Sequence, residues 1–124
     1  MARHFTVEEA NALLPRLRAI LESVLAARQR IIDAQPDVWP MLEKAVGNGG
    51  SRKAGQLVEE FKKVERGIQA IQSLAIVVKD INTGLIDFPA LRGDREVFLC
   101  WRYGEAAVTF WHELDTGFAG RQPV

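Results

Sequence analysis

A chain of 124 residues with sixteen basic and sixteen acidic side chains has no net charge at neutral pH, which removes the basic footprint of a typical nucleic-acid binder. Its one cysteine excludes an intramolecular disulfide framework and fits a reducing, cytoplasmic setting. No apolar run reaches the roughly 18 residues of a membrane span and no signal-peptide core is visible, so neither nucleic acid nor membrane is an expected partner. The length suits one domain, 1–124, able to bury a core without staples.

In chain order, Thr6-Val7-Glu8-Glu9 has the pattern of a capping box. The Thr6 hydroxyl accepts from the Glu9 N–H while the Glu9 carboxylate reaches back to the Thr6 N–H. Apolar residues then recur at helical spacing from Ala10 through Leu13, Leu14, Leu17, Ile20, Leu21, Val24 and Leu25 to Ile31 and Ile32. The stripe is wider than one helical partner covers, which predicts burial against the β-region or against a second copy. A homodimer through the helices is the expectation. Arg16, Arg18, Arg28 and Arg30 read as a solvated face among interspersed acids. Pro15 removes the bond to the Asn11 carbonyl and predicts a kink.

The residue before Pro36 disfavours helical ψ, so the helix should end before Asp33-Ala34-Gln35-Pro36. Pro36 to Pro40 is a connector holding Trp39, and Met41 to Val46 adds a helical turn or two. Gly47-Asn48-Gly49-Gly50 reads as the most flexible point, where limited proteolysis should cut first. Ser51 then caps a second long helix whose a/d row runs through Ala54, Leu57, Phe61, Val64, Ile68, Ile71 and Ala75. Its outer face, Glu59, Glu60, Lys62, Lys63, Glu65 and Arg66, is a solvated coiled-coil surface. Residues 6–75 therefore read as a long antiparallel helical hairpin.

Residues 76–115 change character. Ile76-Val77-Val78 reads as a strand leaving the helix, and Leu85 to Ala90 and Arg95 to Arg102 as two more around Gly93-Asp94. A two-residue turn there puts Arg92 opposite Arg95, Phe88 opposite Leu99 and Asp87 opposite Cys100, with Arg102 diagonal to Asp87. The reverse face, Ile86, Phe88, Val97, Leu99 and Trp101, is core-like. Pro89 fits an edge strand or a strand end. Val108 to His112 forms a last strand, and residues 116–124 are a tail without period, held by Phe118 or loose. The fold class expected is α+β: the hairpin packed on a small antiparallel sheet of three or four strands.

Two blocks of sequence carry a family resemblance. One is Phe5-Thr6-Val7-Glu8-Glu9-Ala10-Asn11-Ala12-Leu13-Leu14-Pro15. The other gathers Val78-Lys79-Asp80, Gly84-Leu85-Ile86-Asp87-Phe88-Pro89, Leu99-Cys100-Trp101-Arg102, Gly104-Glu105, Trp111-His112 and Gly117-Phe118-Ala119-Gly120-Arg121. Together they resemble a family of small prokaryotic proteins known as domain of unknown function 2203. The resemblance covers nearly the whole chain, with Asp33 to Arg52 its least characteristic part. It implies no activity.

Read for function, Asp87, Cys100, Arg102, Glu105, His112 and Asp115 gather around one concave face. A small-molecule or anion site would draw on Asp87, Cys100, Arg102, Glu105 and Trp111. A divalent metal (zinc, manganese or iron) would take Asp87, Glu105, His112 and Asp115, the last two sharing a face if the chain turns helical after the strand. The structural alternative pairs Asp87 with Arg102 across the hairpin, leaves Cys100 as a small hydrophobe and lets His112 satisfy a backbone carbonyl. No H-x-x-x-H, C-x-x-C or H-E-x-x-H spacing favours the metal. Cys100 as nucleophile with His112 as base lacks the local context of known cysteine enzymes. Gly47-Asn48-Gly49-Gly50 lacks the Lys-Ser/Thr of a phosphate loop. Three classes remain: a binding module with a polar site on its β-region, an interaction or scaffold protein dimerising through its helices, and a small enzyme using the same polar residues.

Overall fold

The computed structural model describes residues 3–46 and 57–124. The Gly47–Gly50 loop, the Ser51 cap and Ala54 lie outside the described residues. Among the described residues three α-helices, α1 (Val7–Ala34), α2 (Trp39–Ala45) and α3 (Val58–Gln72), precede an antiparallel sheet. Its strands are β1 (Val77–Asp80), β2 (Leu85–Arg92), β3 (Arg95–Arg102), β4 (Phe110–His112) and β5 (Gln122–Pro123), side by side in chain order. The fold is α+β, with five strands where three or four were expected. The additional strand comes from the tail, whose two residues carry no readable alternation.

The capping box at Thr6 forms as the residues predict: Glu9 N–H donates to Thr6 Oγ1 at 3.0 Å and Thr6 N–H to Glu9 Oε1 at 2.9 Å. α1 continues through Pro15, which is exposed, and runs on to Ala34, two residues past the expected stop before Asp33, with Gln35 as its C-cap. Its buried row is Ala10, Leu14, Leu17, Leu21, Val24, Ala27 and Ile31. Two layers divide this row. Ala10, Leu14, Leu17 and Leu21 pack on the sheet, whereas Val24, Ala27 and Ile31 meet α2 and α3 through Trp39, Leu42, Phe61, Val64 and Ile68. The width of the stripe thus has its source in the change of partner along the helix. α3 buries Phe61, Val64, Ile68 and Ile71, four members of the predicted row. Gly67 lies where a Cβ would collide with Val24 Cγ2, so glycine sets the approach of the two helices.

In the sheet, β2 and β3 pair with Arg92 opposite Arg95, Phe88 opposite Leu99 and Asp87 opposite Cys100, as the two-residue turn at Gly93-Asp94 requires. Gly93 takes φ +65°, a conformation that glycine adopts without steric cost. Side chains alternate across the strands. Ile86, Phe88, Ala90, Val97, Leu99, Trp101 and Trp111 face the helices and form the sheet-side core. Pro89 is tolerated in an interior strand because β1 reaches only as far as the Val77–Asp87 pair. Beyond it the Pro89 carbonyl accepts the Phe5 N–H at 2.7 Å. Asn11 joins α1 to the segment before β4, its Oδ1 accepting the Val108 N–H at 2.7 Å. Among the described residues, no helix is long and apolar enough to cross a membrane.

Candidate metal centre

The same alternation that sends Phe88, Leu99 and Trp111 to the helices sends Asp87, Cys100 and His112 to the opposite face. The register of β2, β3 and β4 sets them in one row: Asp87 is opposite Cys100, and His112 is opposite Phe98, one diagonal step from Cys100. All three are buried, with exposures of 0%, 0% and 1%. Their candidate ligand atoms, one carboxylate oxygen, Sγ and an imidazole nitrogen, lie within 4.8 Å of one another.

Hydrogen-bond accounting fixes the state of the imidazole. His112 Nδ1 is 2.6 Å from the Glu113 carbonyl oxygen, which can only accept, so Nδ1 carries a proton and donates. In the neutral ring Nε2 then presents its lone pair, and what it faces is Asp87 Oδ1 at 3.0 Å, a second acceptor. Two acceptors at that distance require a proton or a cation between them. The other carboxylate oxygen, Asp87 Oδ2, is buried with no hydrogen bond of good geometry, and the Cys100 thiol stands beside the carboxylate as a donor. A buried carboxylate that relies on a weak thiol donor at one oxygen is costly unless something positive occupies the space.

Cys100 completes the donor set. Burial, then the Asp87 carboxylate, pushes its thiol up to about 12, against a smaller downward pull from Arg121. At neutral pH the free thiol therefore keeps its proton and is no nucleophile. A bound divalent cation reverses this, since coordination deprotonates a thiol outright. Thiolate plus carboxylate then carry two negative charges, which such a cation would neutralise in a site withdrawn from solvent.

The remaining sequence candidates lie elsewhere. Arg102 is exposed and has no ion pair with Asp87; its guanidinium lies 4.9 Å over the Phe118 ring, and its backbone N–H donates to Glu105 Oε1 at 2.8 Å. Glu105 is engaged by Arg121 at 2.8 Å. Burial raises the Glu105 carboxyl, but the Arg121 hydrogen bond, the Arg102 N–H and both guanidinium charges outweigh it and hold it below the ordinary carboxylate range. Trp111 points to the helix side, under the Arg92 guanidinium at 4.1 Å. Asp115 is exposed in the turn after β4 and does not join the group at His112.

Arg121 is the residue that sequence reasoning missed. It sits in the tail between the 3-10 turn Phe118–Gly120 and β5, its guanidinium 4.1 Å over Phe110 and 4.5 Å over Phe118. One Nη2 hydrogen bond goes to Glu105, and a longer one of 3.5 Å reaches the Cys100 carbonyl. Its Nε is buried without a partner. A short strand pairing supplied this proximity, and the only signal in the sequence was the tail block Gly117–Arg121 itself.

No curated protein and no solved structure matches the chain at a significant level. A family model does match, across residues 3–124. The chain belongs to the family described as uncharacterized conserved protein, DUF2203.

Proposed function

We propose that this chain is a metal-binding module whose centre is Asp87, Cys100 and His112, and that the ion is zinc or iron(II). The observation that carries the reading is the meeting of His112 Nε2 and Asp87 Oδ1 at 3.0 Å beside the Cys100 thiol, with Nδ1 already committed to the Glu113 carbonyl. Histidines that ligate metals usually hand their other N–H to a backbone carbonyl or carboxylate in this manner, which fixes the tautomer and aims the lone pair. A thiolate, an imidazole and one carboxylate form a borderline-soft set that suits zinc or iron and disfavours magnesium or calcium. Manganese fits less well for the same reason. Three protein donors leave a fourth tetrahedral position for water or a small ligand.

The test is elemental analysis of protein purified without chelator, followed by cobalt(II) titration of the stripped protein. The expected result is an equimolar metal and a thiolate-to-cobalt charge-transfer absorption that disappears in Cys100→Ala. Metal-free protein that shows no such absorption with cobalt would leave the cluster a protonated Asp87–His112 pair with a buried thiol beside it.

A further inference from the structure

On the helix-facing side of the sheet, at the end away from β1, lies a cavity of about 420 Å³ between the N-terminal strap and the tips of β2 and β3. Its lining is mostly apolar, formed chiefly by Phe5, Ala90, Leu99, Trp111 and Val124, with His4, Thr6 and Arg92 as its polar side chains. Small-molecule sites commonly have this form, with volumes of roughly 300–1,000 Å³, apolar walls and few polar groups to orient the guest.

The charge at the edge decides what kind of guest fits. Arg92 lines the cavity, is exposed, and rests 4.1 Å over the Trp111 ring. Among the described residues it has no carboxylate partner. The acid on the neighbouring strand, Glu96, is engaged by His4 at 2.9 Å. One free guanidinium beside an apolar chamber complements a molecule with a single anionic head and an apolar body.

We infer that this cavity binds a small amphipathic carboxylate, the apolar body lying against Phe5, Leu99 and Trp111 and the carboxylate paired with Arg92. A straight chain of roughly 8–12 carbons would fill the volume. The site is independent of the metal centre, which uses the opposite face of the sheet. Trp111 and His112 are consecutive in β4 and point one to each.

Isothermal titration with decanoate, below its micelle concentration, and with decanol tests the inference. The expected result is saturable, equimolar binding of decanoate, at least about tenfold tighter than decanol. Arg92→Gln should bring decanoate down to the level of decanol, and Val124→Trp should abolish binding of both by filling the chamber. Both positions are exposed, and unchanged thermal melts establish that the variants fold. No saturable heat with decanoate, equal affinity for decanol, or binding that survives Val124→Trp overturns the inference.

Discussion

His112 Nε2 and Asp87 Oδ1 stand 3.0 Å apart, on strands with β3 between them, and both side chains are withdrawn from solvent. Neither has an alternative partner at those atoms. The carboxylate and the imidazole are therefore held to each other and to whatever positive species lies between them.

For the metal-stripped protein this predicts an asymmetric pattern of losses. Asp87→Ala and His112→Ala should each cost about 3 kcal/mol or more, because each leaves a buried polar partner uncompensated. The double variant should cost clearly less than the sum of the two, since the pair is lost only once. Arg102→Ala, on the surface and away from Asp87, should fall within about 0.5 kcal/mol of the parent. Chemical denaturation measures all four; equal losses for Arg102→Ala and Asp87→Ala would contradict the pairing.

The Cys100 thiol gives a pH dependence of known sign. Its folded value is pushed up to about 12 from an ordinary 9.0, so the folded state keeps the proton in a range where the unfolded chain has released it. The contribution is intact below about pH 9 and is lost as pH rises toward 12, with a slope of at most about 1.4 kcal/mol per pH unit. Stability of the stripped protein should decline more steeply over that interval than stability of Cys100→Ala. Parallel curves would mean that the thiol is not shielded.

Arg121→Ala should destabilise the protein by about 2 kcal/mol, removing two ring contacts and the Glu105 pair together. The same change should make Cys100 react faster with iodoacetamide, since the tail loses its hold on β3. Arg121→Lys keeps the charge but not the planar stacking, and should recover less than half of the loss.

Gly67→Ala sets two effects of opposite sign against each other. Alanine at an interior helical position gains about 1 kcal/mol over glycine. Against that, its Cβ would collide with Val24 Cγ2 on α1, and overpacking of this kind costs about 1–3 kcal/mol. The collision should win, so a lower melting temperature is expected. A higher one would place α3 farther from α1 than described.

Much of the sheet was legible because turn chemistry and alternation act locally. Gly93-Asp94 set the register, and the register placed Asp87 opposite Cys100 and turned Phe88 and Leu99 to the core. The partner of Asp87 was not legible. Diagonal proximity on one hairpin pointed to Arg102, but the deciding neighbour, His112, arrives on a third strand through the connection from Tyr103 to Thr109, which has no period. Arg121 was hidden for the same reason, one strand farther on. On the helical side the width of the α1 stripe was read correctly as a demand for more than one partner. Within the chain, sheet and α3 meet that demand at successive turns, a division that spacing alone does not disclose.

The centre is local in sequence, and the fold around it is not. Asp87 and His112 are 25 residues apart, whereas the Asn11–Val108 bond that fastens α1 to the sheet closes a loop of 97. Closing the longer loop costs about 1.2 kcal/mol more in chain entropy, so the strand meander can assemble ahead of the helical layer. An ion captured at that stage would clamp β2, β3 and β4 into their final order before α1 docks. Metal supply would then govern how fast the chain folds as well as how stable it becomes, and refolding should quicken when zinc is present from the start.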